Sequence, residues 1–175
     1  PQPFEGSKEY IATGDMQGSE IVSSTKVTFE ERPSRANNTV RLGNVLFAKM
    51  AETEKTMVAK EIHESMLFST GFAILKPKPG VLFSEYLYHI LRSDRFLSEK
   101  NRLSSGATQK AITNKSLGQI KVPIPSLNEQ KRIATILTKL YEIKQWSDRT
   151  NEIRAKLINS VFLEMFGDTH LNQNL

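Results

Sequence analysis

Apolar residues recur at spacings of three and four along the last third of the chain: Ile133, Ile136, Leu137, Leu140, Ile143 and Trp146, then Ile153, Leu157, Val161 and Met165. That period puts them on one side of an α-helix. From residue 126 to 166 there is neither Gly nor Pro, although the chain holds nine Gly and seven Pro. Both are unfavourable in a helix interior, so their joint absence predicts one long helix. Its ends are marked. Ser126-Leu127-Asn128-Glu129 reads as a capping box directly after Pro125, and Gly167 stands where a terminating glycine belongs. At 1.5 Å per residue, Asn128 to Met165 would reach about 57 Å, against about 30 Å for the width of a small domain. The expected helix projects beyond its own domain, and its stripe needs a second helix against it, in this chain or outside it. The polar run Ser147–Glu152 interrupts the stripe as a polar layer, a kink or a break.

The first 125 residues follow a different pattern. Short runs rich in β-formers lie between turn signals: Tyr10–Thr13, Val27–Phe29, Val45–Lys49, Met57–Ala59, Met66–Phe68 and Gly71–Leu75. Ile120, Val122 and Ile124 alternate around Pro123, which predicts a strand at a sheet edge. One amphipathic helix is expected from just after Ser84 to about Lys100, with Leu87, Ile90 and Leu91 on one face. The expected fold class is α+β: a mainly antiparallel sheet with one or two helices, then the long helix. This divides the chain into a body over 1–125, a helix over 126–166 and a tail over 167–175.

Composition narrows the chemistry. The 175 residues contain no Cys, which excludes disulfides, thiolate catalysis and Cys-ligated metal and suits a reducing, cytoplasmic setting. No apolar run is long enough to cross a membrane, and no signal peptide is visible. The three His stand singly, without a second ligand at helical spacing, so a metal site is not expected. Phosphate-binding, dinucleotide-binding and nucleophile-elbow motifs are all missing. The E-x-K triplet Glu142-Ile143-Lys144 lies on the long helix, which argues against a small nuclease.

Charge is uneven. Between Arg92 and Lys121 stand seven Lys or Arg against Asp94 and Glu99, a surplus equal to the net charge of the whole chain, +5. This stretch is either a phosphate-facing surface or a solvated basic face. Within it, residues 101–110 offer guanidinium, hydroxyl, amide and ammonium donors, the groups that contact phosphates and base edges. Residues 47–60 supply a second candidate, a strand end with Lys49, Lys55 and Lys60.

Several segments together resemble the specificity (S) subunits of type I restriction–modification systems: Ser105-Gly106-Ala107-Thr108-Gln109-Lys110, Ile120-Lys121-Val122-Pro123-Ile124-Pro125 and Asn128-Glu129-Gln130-Lys131-Arg132-Ile133-Ala134. Residues 10–16, 43–49, 68–72 and 166–168 match the same family. The resemblance implies that the body is a DNA target-recognition domain and that the chain is non-catalytic, with no cofactor of its own. It implies methyltransferase (M) subunits carrying S-adenosylmethionine, and restriction (R) subunits, as partners. Such subunits normally hold two recognition domains and two antiparallel helices, so this chain corresponds to one half. It is either a natural half-subunit or a fragment, with a first strand expected before Pro1. A homodimer through the helix is the expected remedy, with Ile133, Leu137, Leu140, Ile143, Trp146, Ile153, Leu157 and Val161 as the interface and a bipartite palindrome as the target. Candidate DNA contacts are Lys49, Lys55, Thr70, Arg102, Ser105, Thr108, Gln109 and Lys110. The competing expectations are a helical scaffold that touches no nucleic acid and a small nuclease.

Overall fold

A computed structural model describes residues 1–167. The expected α+β class is what the fold shows. Nine short strands precede four helices: β1 (Lys8–Ile11), β2 (Met16–Gln17), β3 (Glu20–Ile21), β4 (Thr25–Val27), β5 (Ala36–Asn38), β6 (Val45–Ala48), β7 (Thr56–Val58), β8 (Leu67–Ser69) and β9 (Phe72–Leu75), then α1 (Ser84–Leu91), α2 (Asp94–Leu103), α3 (Asn114–Leu117) and α4 (Leu127–Phe166). They form a four-stranded sheet in the order β4-β1-β8-β5, a β2-β3 hairpin and a three-stranded sheet in the order β7-β6-β9. Every pairing is antiparallel except β1 with β8, where Tyr10 lies opposite Leu67.

Strand β6 explains the layering. All four of its residues are buried, because helices cover one face and the larger sheet covers the other. Leu46 and Ala48 join Ile11, Met16, Phe68 and Phe72 in one core. Val45 and Phe47 point the other way, into a core with Leu87, Leu91 and Phe96. This is the two-residue period of a strand read on both faces. Phe47 meets Phe96 edge-on, with centroids 5.3 Å apart.

Two expectations are corrected. The single helix from Ser84 to Lys100 is two helices. Ser93 breaks it: its Oγ accepts the Phe96 N–H at 3.3 Å and caps α2, while α1 closes through the Arg92 N–H on the His89 carbonyl. The alternating segment Ile120–Ile124 is not a strand. Pro123 and Pro125 cannot donate to a ladder, and their carbonyls are taken by side chains instead. The Tyr86 hydroxyl donates to the Pro123 carbonyl at 3.1 Å, and Gln130 Nε2 donates to that of Pro125 at 2.8 Å.

Helix α4 starts and stops where expected, but with one half of the capping box: Glu129 Oε2 accepts from Arg132 Nε at 3.1 Å and not from the Ser126 N–H. The Glu129 N–H donates to Ser126 Oγ at 3.4 Å. Gly167, at φ +71°, donates its N–H to the Leu163 carbonyl at 2.9 Å. The helix runs without interruption through Ser147–Glu152, and Thr150 Oγ1 donates back to the Trp146 carbonyl at 2.8 Å. The chain divides into two compact units, Pro1–Ala134 and a second that begins at Thr135. The first takes in the opening turns of α4, because Gln130 and Ala134 are buried in it. Of the expected tail, only Gly167 lies within the described residues.

Candidate nucleic-acid interface

Five loops gather at one end of the first unit, joined by main-chain hydrogen bonds around Lys49. The Lys49 N–H donates to the Gly71 carbonyl at 2.9 Å, and its carbonyl accepts the Ile112 N–H at 2.9 Å. Lys49 thereby ties the end of β6 to the β8–β9 turn and to the segment after α2. The Ala51 N–H donates to the Lys110 carbonyl at 2.9 Å, and the Thr56 N–H to that of Gly18 in the β2–β3 hairpin at 3.0 Å. Thr70 sits in the β8–β9 turn, its N–H on the Arg35 carbonyl at 2.9 Å.

The loop after α2 is stapled at its base. Ser105 and Ala111 exchange both N–H···O bonds, at 3.1 and 3.0 Å. Between them Gly106 adopts φ +139°, and a Cβ there would lie 2.3 Å from the Gln109 carbonyl oxygen. Only glycine fits that close approach. Residues 105–110 are exposed throughout. The candidates Lys49, Thr70, Ser105, Thr108, Gln109 and Lys110 are thus brought into one loop cluster.

Charge is distributed selectively within it. The side-chain amines of Lys49 and Lys110 meet no hydrogen-bond or ion-pair partner among the described residues. Lys55 belongs to the cluster but is committed inside it, its Nζ donating to the Thr13 carbonyl at 2.7 Å. Arg102 is exposed on α2 and paired with Glu99 at 2.7 Å. That pairing raises the guanidinium pKa and holds the Glu99 carboxyl below the usual carboxylate range, through the hydrogen bond first and then the opposite charge.

Sequence reasoning missed the support beneath the cluster. Lys100, on α2, is buried and donates to the Thr53 carbonyl at 2.5 Å and to that of Ala48 at 3.5 Å. Burial pushes its ammonium pKa down, and the charge of Glu54 partly opposes the shift. Neighbouring Asn101 accepts the Glu52 N–H at 2.9 Å on its Oδ1. The signal was present: Lys100 falls four residues after Phe96 and three after Leu97, inside the apolar stripe of α2. No cluster of His, Asp or Glu among the described residues could hold a metal ion. No described helix is long and apolar enough to cross a membrane.

On α4, Ile133 is half-buried, while Leu137, Leu140, Ile143, Trp146, Ile153, Leu157 and Val161 are exposed. Ile158, Phe162 and Phe166, outside the expected stripe, are exposed as well. The apolar face of this helix is therefore uncovered among the described residues.

A sheet body with a rigid cationic loop cluster, followed by a long helix with an uncovered apolar face, defines a binding module. Residues 3–155 match the model of the type I restriction modification DNA specificity domain, and the chain belongs to that family. It is 29% identical over 126 residues to the MjaIX specificity subunit of Methanocaldococcus jannaschii, covering 72% of this chain and 28% of that protein. It is 33% identical over 95 residues to the EcoKI specificity subunit of Escherichia coli, covering 52% and 20%. Among solved structures, the HsdS subunit of Thermoanaerobacter tengcongensis superposes with a TM-score of 0.69 at 21% identity, over 97% of this chain and 45% of that one. A chain solved in work on assembly and conformational transition of the type I restriction–modification system gives 0.73 at 23% identity, over 91% and 41%. The likeness to these structures is one of fold. The chain spans less than half the length of the relatives named here.

Proposed function

We propose that this chain recognises duplex DNA in a sequence-specific way, as one half of a type I specificity subunit, and that it does so by binding alone. Family membership supports the reading, and one observation carries it: Lys49 and Lys110 present unpartnered ammonium groups from a loop cluster whose backbone is fixed. Ammonium groups neutralise phosphates and set a salt-dependent affinity, while Ser105, Thr108 and Gln109 beside them are suited to phosphate or base edges. Thr70 adds a hydroxyl from the adjoining turn. Lys55 and Arg102 contribute less directly, since each already donates within the protein.

The apolar face of α4 packs antiparallel against the same helix of a second copy. Two recognition domains then face two half-sites of a bipartite palindrome. The paired helices position the methyltransferase subunits, which carry S-adenosylmethionine, and the restriction subunits that join them.

Selection of bound duplexes from a random pool, with sequencing of the retained fraction, tests the reading. We expect two short conserved blocks, inverted with respect to each other and separated by a fixed spacer. Retention without any enriched sequence would point to a helical scaffold, and cleavage of the pool in magnesium by the chain alone would point to a nuclease.

A further inference from the structure

Two unfavourable features meet in the turn between β6 and β7. Among the described residues, Glu52 is the single non-glycine residue in the left-handed region, at φ +58°. There its Cβ crowds the following carbonyl, and Gly or Asn would be accommodated more easily. Beneath the same turn lies Lys100, the one charged side chain among the described residues that is buried, at 1% exposure. An ammonium removed from water is costly unless its donors are used, and both bonds it makes go to carbonyls bordering this turn, Thr53 and Ala48. Asn101 holds the Glu52 N–H and the Lys110 carbonyl holds that of Ala51. Strained backbone persists where its surroundings over-determine it, and it concentrates at functional sites.

What this arrangement presents is the Glu52 carboxylate, exposed and without a hydrogen-bond or ion-pair partner among the described residues, held by its backbone in a cluster that also carries the cations Lys49 and Lys110 and the exposed carboxylate of Glu54, whose charge acts on Lys100. A polyphosphate repels a carboxylate. The group is tolerated against DNA where it meets a donor, and the major groove offers two, the N4 amino group of cytosine and the N6 amino group of adenine. Adenine sets the N7 lone pair beside its amino group, which repels the second carboxylate oxygen. Cytosine sets only a C–H there.

We infer that Glu52 is a specificity-determining residue whose carboxylate accepts a hydrogen bond from the N4 amino group of a cytosine in the major groove, with Lys100 as the positioning residue that presents it. The inference rests on the DNA-recognition reading above.

The test is pool selection with the full chain, its Glu52→Gly variant and its Lys100→Met variant, together with urea unfolding of each. The unaltered chain should enrich a G·C pair at one position of each half-site. Glu52→Gly should lose that preference by about ten-fold or more, with the other positions kept. Its urea midpoint should hold or rise, because glycine relieves the backbone. A purely structural role would not separate these readouts in that direction. Lys100→Met should blunt the same position, and if it does not fold, Glu52→Gly decides alone. Unchanged preferences in Glu52→Gly overturn the inference while leaving DNA recognition intact. Loss at an A·T position instead overturns the assignment to cytosine. A pool with no enriched sequence for the unaltered chain overturns the DNA reading and this inference with it.

Discussion

Gln130 accepts the Phe83 N–H at 2.9 Å on its Oε1, joining the opening turn of α4 to the residue that precedes α1. Its Nε2 donates to the carbonyls of Val81 at 2.9 Å and Pro125 at 2.8 Å, so one fully buried amide serves three main-chain groups. Gln130→Leu keeps the volume and strands all three. We expect a loss of about 2–4 kcal/mol in urea unfolding, since each orphaned buried group costs about 1–3 kcal/mol. A loss below about 1 kcal/mol would mean that water replaces the amide.

Gly106→Ala tests the rigidity of the loop cluster. The added methyl would lie 2.3 Å from a main-chain oxygen, so residues 105–110 must move. We expect DNA affinity to fall at least ten-fold, with little change in global stability, because the loop is exposed. Wild-type affinity in this variant would show that the loop's shape is irrelevant to binding.

Lys110→Ala should weaken binding to about the same degree on every duplex and reduce the slope of log K against log salt by about one. A change confined to one base position would assign Lys110 to base reading instead.

Leu140→Asp combined with Leu157→Asp places carboxylates on the exposed face of α4. If that face joins two copies, sedimentation should report half the wild-type mass, with the far-ultraviolet spectrum retained. An unchanged mass would locate the interface elsewhere.

His63 gives the chain a pH response. Its Nδ1 accepts the Lys60 N–H at 2.9 Å. Burial, and then the charge of Lys60, lower its pKa below the ordinary histidine value. The unfolded chain therefore binds the proton more readily, and stability should fall as pH drops below about 6.5 and through the folded-state value. Asn at this position can offer Oδ1 in place of Nδ1 without titrating. His63→Asn should flatten the decline of the urea midpoint between pH 7 and 5, and an identical decline would exclude His63 as a cause.

The elements that the sequence makes legible are those whose information is local. A stripe at helical spacing, a capping serine and a terminal glycine define α4, since each acts within a turn or two of itself. The apolar runs of β1, β6, β8 and β9 are readable because buried strands need β-formers between turns. The polar strands β2, β3 and β5 are not, since pairing across the sheet gives them their structure rather than their own composition. Ile120–Ile124 shows the reverse: alternation without a neighbouring strand to pair with.

Sequence by itself determined the long helix, the α+β class, the excess of positive charge between Arg92 and Lys121, and the family. Only the tertiary structure decided which lysines, in that stretch and before it, remain available, because availability depends on groups far away in the chain. Lys55 is taken by Thr13, 42 residues distant, and Lys100 by Thr53, 47 residues distant, whereas Lys49 and Lys110 meet no such acceptor among the described residues. A residue type states what a side chain can donate. The fold determines whether a carbonyl already holds it.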